Sequence, residues 1–157
     1  MTDEQKRDFT RRLSNCNRGE MIVIVYDIFF TYINDAKASL KTGSRGQFKD
    51  AARHASNVLV ELQDTLDFKY EISRSLYPVY DYCKRLISMA MVKNCSSELA
   101  EAEEHMRKLY EAFKAAAAAD TSEPIMEHSE AVTAGLTYGR GYLNEASQAE
   151  PTRGFWA

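Results

Sequence analysis

At 157 residues the chain suits one domain, and its net charge of −3, from 20 Lys and Arg against 23 Asp and Glu, leaves no concentrated basic face for nucleic-acid phosphates. Its 3 cysteines, Cys16, Cys83 and Cys95, are odd in number and far apart, which argues against a disulfide framework or a CxxC site. The polar N-terminus gives no signal for secretion, so the expected compartment is a reducing cytoplasm.

Residues 3–13 read as a short polar helix, with only Phe9 and Leu13 one turn apart to hold it down. Ser14, Asn15, Asn17 and Gly19 then break the pattern. The stretch that follows, MIVIVYDIFFTYINDAKASL from Met21 to Leu40, dominates the chain. Its stripe Ile22, Val25, Tyr26, Phe29, Tyr32, Ile33, Ala36, Leu40 is one face of a helix predicted over 20–42. Asp27, Asn34 and Asp35 interrupt the apolar run, which is too short for a membrane span of about 20 residues, so no stable membrane insertion is expected. Asp27 is expected to pair with a neighbouring helix or face solvent, and Gly43 suits a left-handed cap.

Ser44 and Gln47 have the spacing of a capping box, predicting a helix over 45–67 with the stripe Phe48, Ala51, Ala52, Ala55, Val58, Leu59, Leu62, Leu66. A further helix over 72–94 has the stripe Ile72, Leu76, Val79, Cys83, Leu86, Ala90. Pro78 removes a hydrogen bond, so regular helix is expected from Ser75, leaving the ring in the tolerant first turn. Asn94 closes this helix, and Ser96 or Ser97 caps the last, over 97–119, with Glu98 near its positive end. Its stripe is Leu99, Ala102, Met106, Leu109, Phe113, Ala116. Residues 121–157 hold six of the prolines and glycines and no long stripe; we read them as an extended tail, with a short helix over Ile125–Ala134 and apolar spots at Leu136, Tyr138, Tyr142, Leu143, Phe155 and Trp156.

Four long helices with short links and no period-two segment predict an all-α, antiparallel four-helix bundle over residues 1–120, with a short N-terminal helix and an extended C-terminal tail. The reactive residues do not converge. His54, His105 and His128 lie far apart, Glu103-Glu104-His105 lacks the Glu-x-x-His spacing of a di-iron bundle, and Gly139-Arg140-Gly141 is no phosphate loop. His54 and Cys83 sit on different helices, where a solvated imidazole and a buried thiol are the ordinary reading. No residue is assigned catalysis, a cofactor or a metal.

Taking one stripe per helix as core leaves a surplus: Met21, Ile24, Ile28 and Phe30, then Val60, then Tyr77, Tyr80, Ile87 and Met91, then Tyr110. Scattered apolar residues are normal on a surface. Pairs such as Ile24/Ile28 and Ile87/Met91, one turn apart, are the pattern that lines a groove for an amphipathic partner helix. These ten residues are the candidate partner-binding set. Because open grooves invite aggregation, the N-terminal segment or the tail is expected to cover them.

The segments Glu20–Asp27 (EMIVIVYD), Glu61-Leu62 with Leu66-Asp67, Glu71-Ile72 to Tyr80-Asp81-Tyr82, Leu86 to Lys93-Asn94, and Glu111-Ala112-Phe113 together resemble, in order and spacing, the FliS family of flagellar secretion chaperones. The resemblance covers roughly Arg12–Ala117; Pro78, a missing N-terminal tyrosine for which Phe9 stands in, and the tail depart from it. It implies a helical bundle that binds the disordered C-terminal segment of flagellin, prevents premature polymerisation and helps deliver flagellin to the membrane export gate of the flagellar type III secretion system. The residues themselves leave two other readings open: a structural or adaptor bundle that self-associates, for instance as a homodimer, and a metal-dependent bundle.

Overall fold

The computed structural model describes residues 1–126. Five helices occupy them, and among the described residues there is no strand: α1 Asp3–Asn15, α2 Arg18–Lys41, α3 Arg45–Asp64, α4 Glu71–Lys93 and α5 Ser97–Ala118. Helices α2 to α5 form a closed ring in which each packs on the next and α5 returns to α2, while α1 packs on α2 from outside. The pairings give the directions. Lys37, late in α2, reaches Glu103, early in α5, and Tyr26, early in α2, packs against Phe113, late in α5. Gln63 with Lys84 and Tyr82 with Glu101 reverse α3 against α4 and α4 against α5 in the same way. The bundle is antiparallel throughout.

The core follows the predicted stripes: Phe29, Ile33 and Ala36 meet Phe48, Ala52, Ala55 and Leu59 on one side and Leu99, Ala102 and Met106 on the other. Its centre holds one polar pair. The hydroxyls of Tyr26 on α2 and Tyr80 on α4 lie 2.9 Å apart across the diagonal of the ring, both buried. Burial in apolar surroundings pushes both phenols above their ordinary pKa.

Local structure departs from expectation in four places, the first being Ser96, which stands at the N-cap of α5 but makes no side-chain cap bond. Ser44 is the N-cap of α3 but makes no side-chain cap; its hydroxyl accepts from Thr42 instead. Capping boxes form at Thr2 with Gln5 and at Asn17 with Glu20. Helix α4 begins at Glu71 rather than near Ser75, so Pro78 lies well inside it, with its ring on the exposed side where the lost hydrogen bond meets water. Ile72, expected in the core stripe of α4, is exposed, while its neighbour Ser73 is buried instead, so the first turn of α4 turns Ser73 rather than Ile72 inward. Asn94 caps α4 in the left-handed region at φ 52°, which asparagine tolerates, and Gly43 takes φ 72° after α2. Residues 121–126 are not helical, and the remainder of the expected tail, including most of the helix expected over 125–134, lies outside the described residues.

Candidate functional site

The outer face of α2 is where the surplus apolar residues collect. At 100° per residue, Ile24 lies opposite the core positions Phe29, Ile33 and Ala36, while Met21 and Ile28 lie on a flank about a quarter turn from them. Ile24 is nevertheless only 4% exposed, and the element on that side of α2 is α1. Ile28 is half-buried and Met21 exposed. The short helix runs antiparallel to α2: Arg12 donates to Asp27 at 2.5 Å, and the Met1 ammonium pairs with Asp35 further along α2. Phe9 and Leu13 are each half-buried, and Arg12 also lies over the Phe9 ring at 5.5 Å.

Beside α1, the seam between α2 and α5 is aromatic. Phe30 meets Tyr110 edge to face at 5.4 Å, the Tyr26 and Phe113 rings are tilted at 38° with centroids 5.6 Å apart, and the Arg107 guanidinium covers Phe30 at 4.7 Å. Burial and the neighbouring Asp27 carboxylate push the Tyr110 phenol above its ordinary pKa. Asp27 thus stands where α1, α2 and α5 meet. Towards the bundle end the seam opens into a cleft of about 330 Å³, floored by Val23, Ile24, Ala117 and Ala118 and rimmed by Arg12 and Lys114. The cleft is thus apolar at its floor and cationic at its rim.

The end of this cleft is latched. The Asn17 side chain donates to the Asp120 carbonyl at 3.2 Å, and the Gly19 amide donates to the Asp120 carboxylate at 3.3 Å. A Cβ on Gly19 would lie 3.0 Å from the Ala117 Cα, so α5 approaches α2 this closely only because residue 19 is glycine. Beyond Asp120 the chain turns back, and the Ile125 amide donates to the Cys16 carbonyl at 3.0 Å.

The ten candidate residues do not form one surface. Tyr80 and Ile87 belong to the interior of the bundle, since α4 packs against both α3 and α5 and needs a face wider than one stripe. Phe30 is buried in the α2–α5 seam and Ile24 beneath α1, so in the free chain these four present no open groove. Met91 and Tyr110 are half-buried against the core, Val60 is half-buried on α3, and Tyr77 is exposed at the α3–α4 corner. Met21, Ile28 and Tyr110 remain reachable on the face around α1. Sequence reasoning missed Arg12 as the partner of Asp27, although a basic residue on a weak helix before a half-buried acid was the available signal. It also missed Phe68 and Tyr70, which are exposed, the Phe68 ring packing on Tyr77, and it placed the exposed Ile72 in the core.

Other groups behave as structural residues. His54 is exposed and stacks on Tyr32 at 5.0 Å, while the Cys83 thiol points at the Ala102 carbonyl, so the two do not meet. Glu98 is held well below the usual carboxylate range by the Cys95 thiol, the Lys93 ammonium and the Ser97 hydroxyl. Among the described residues no group of three or more His, Cys, Asp or Glu side chains is placed to hold a metal, and no helix is long and apolar enough to cross a membrane.

A family model described as "Flagellar protein FliS" matches residues 1–120. The chain belongs to the FliS family. It is 29% identical over 98 residues to the flagellar secretion chaperone FliS of Bacillus subtilis (strain 168), an alignment covering 62% of this chain and 74% of the relative. The assignment carries a role in flagellar export as a chaperone, and it places a family of binding proteins, rather than enzymes, around the bundle described above.

Proposed function

We propose that this FliS protein binds the disordered C-terminal segment of flagellin, keeps it from polymerising early, and helps hand it to the membrane export gate, acting by binding alone. The observation that carries the reading is the apolar outer side of α2, with Ile24 under α1 and Met21, Ile28 and the Tyr110 seam left reachable around it. A helix that is apolar on a second side needs a cover, and here the cover is weakly held. Phe9 and Leu13 are only half-buried, each short of the ~1.5–3 kcal/mol of full burial. The Arg12–Asp27 pair is part-exposed, with 38% and 25% of the side chains accessible, and pairs of that kind contribute ~1 kcal/mol or less. A client segment that folds as a helix on the same stripe buries more apolar surface than α1 does, and so displaces it.

Coupled folding and binding spends much of its interaction energy on ordering the client, so the contact must be long. The face of α2 together with the α2–α5 cleft supplies such a length. The test is co-purification with intact flagellin and with flagellin lacking its C-terminal segment. Intact flagellin is expected to bind in the nanomolar to micromolar range, with helix gained on mixing. Equal binding of the truncated flagellin would overturn the reading.

A further inference from the structure

The hold on α1 is concentrated at one end. Ser14 is the only buried residue of α1, whereas Phe9 and Leu13 along the helix are half-buried. Together with Cys16 and Asn17, both buried, Ser14 makes a closed hinge between α1 and α2. The peptide unit that joins Cys16 to Asn17 is fixed at both of its polar groups. Its N–H donates to the Glu20 carboxylate at 3.1 Å, within the capping box of α2, and its carbonyl accepts the Ile125 amide at 3.0 Å. Asn17 is tied a second time, because its side-chain amide donates to the Asp120 carbonyl at 3.2 Å. A planar peptide unit turns as one body, so swinging α1 away from α2 about Cys16 ψ or Asn17 φ breaks the bond to Ile125.

We propose that Asp120–Ile125 is a strap across the α1–α2 hinge, which keeps α1 seated on the outer side of α2 and so sets how often that side is uncovered. The strap is anchored and shaped in advance. One oxygen of the Asp120 carboxylate accepts the Gly19 amide at 3.3 Å and the other accepts the Ser122 amide at 3.0 Å, joining the start of α2 to the turn that sends the chain back. Pro124 has a fixed φ immediately before Ile125, which limits the entropy lost in presenting the Ile125 amide. The side chains of Ile125 and Met126 are 46% and 50% exposed, so the backbone amide, rather than apolar burial, makes the contact.

Position gives the strap its consequence. Cys16, Ala117 and Ala118 line the cleft between α1, α2 and α5, so the strap ties two walls of that cleft together. The hold on α1 is a property of the free chain, while its effect on a client rests on the proposed flagellin site. Loosening the strap raises the fraction of molecules with α1 lifted, and the apparent affinity of anything that needs the uncovered side rises by the same factor.

The test is backbone hydrogen exchange on the full chain without flagellin, for wild type, Ile125→Pro, Ile125→Ala and Asp120→Ala. The proline removes the amide, the alanine at 125 keeps it, and Asp120→Ala removes the anchor; neither position lies in a helix. Loss of one hydrogen bond is expected to speed exchange in Asp3–Asn15 about three- to tenfold in Ile125→Pro and Asp120→Ala. Ile125→Ala should match wild type, with α3 and α4 unchanged in every variant. Unchanged α1 exchange in Ile125→Pro or Asp120→Ala would overturn the proposal. Equal acceleration in Ile125→Ala, or acceleration spread evenly over all five helices, would overturn it as well. Titration with a peptide of the flagellin C-terminal segment forms the second arm, and binding tightened by the factor seen in α1 is expected. A loosened α1 with unchanged binding would instead overturn the proposed flagellin site and leave the hold of the strap on α1 established.

Discussion

Replacing either buried tyrosine of the diagonal pair by phenylalanine is predicted to destabilise the bundle, and replacing both to cost much less than the sum. The Tyr26 and Tyr80 hydroxyls are 2.9 Å apart, fully enclosed, and have no other hydrogen-bond partner among the described residues. Removing one hydroxyl therefore strands the other in apolar surroundings, at ~1–3 kcal/mol. Removing both strands nothing, and the double variant should lie within ~1 kcal/mol of wild type, giving a coupling energy of ~1–3 kcal/mol. Urea denaturation of the four proteins measures this as shifts in midpoint at constant slope. The phenols also set an alkaline limit. Burial raises both pKa values in the folded state, so the unfolded chain releases these protons first, near pH 10. Stability is then intact below that pH and lost above it, at up to ~1.4 kcal/mol per pH unit for each tyrosine, and each Tyr→Phe variant loses part of that slope. Additive single substitutions, or single costs below ~0.5 kcal/mol, would refute the account of the core.

Three further predictions follow the same logic. Burial pushes the Cys83 thiol up to about 11 from its ordinary 9.0, so stability should fall by ~2–3 kcal/mol between pH 9 and 11, and Cys83→Ala should abolish that part of the fall in a pH series of denaturation curves. Gly19→Ala, which would ordinarily favour a helix, should instead destabilise by ~1 kcal/mol or more, because the new methyl meets the backbone of Ala117; a raised thermal midpoint would contradict it. Arg12→Ala should speed hydrogen exchange in α1 several-fold, leave α2–α5 unchanged, and tighten flagellin binding up to ~5-fold, whereas weaker binding would show that α1 is part of the client site.

Long amphipathic periods made the four long helices legible, and residues with special backbone preferences marked their ends: Asn94 and Gly43 cap where expected because few other residues tolerate φ above zero. What local pattern could not supply is the partner of each face. Ile24 and Ile87 both looked surplus, yet one is buried by α1 and the other because α4 packs between two helices. Ile72 looked like core and is exposed, with the small polar Ser73 buried beside it, because apolar character alone does not show which of two adjacent positions in a first turn faces the bundle. The Ser44 box had the right spacing but Ser44 sits in a tight three-residue link where its hydroxyl turns to Thr42, while the Thr2 and Asn17 boxes were present at the same spacing and went unread. The candidate site suffered most, since it depends on which apolar residues tertiary packing leaves over.

The most direct measurement of the central claim is hydrogen exchange of this FliS protein alone and with a saturating peptide of the flagellin C-terminal segment. The account predicts that α1 exchanges faster in the complex, while amides on α2 from Met21 to Ile28 and on α5 around Tyr110 exchange more slowly. Slower exchange in α1 on binding, or protection that bypasses α2, would contradict it.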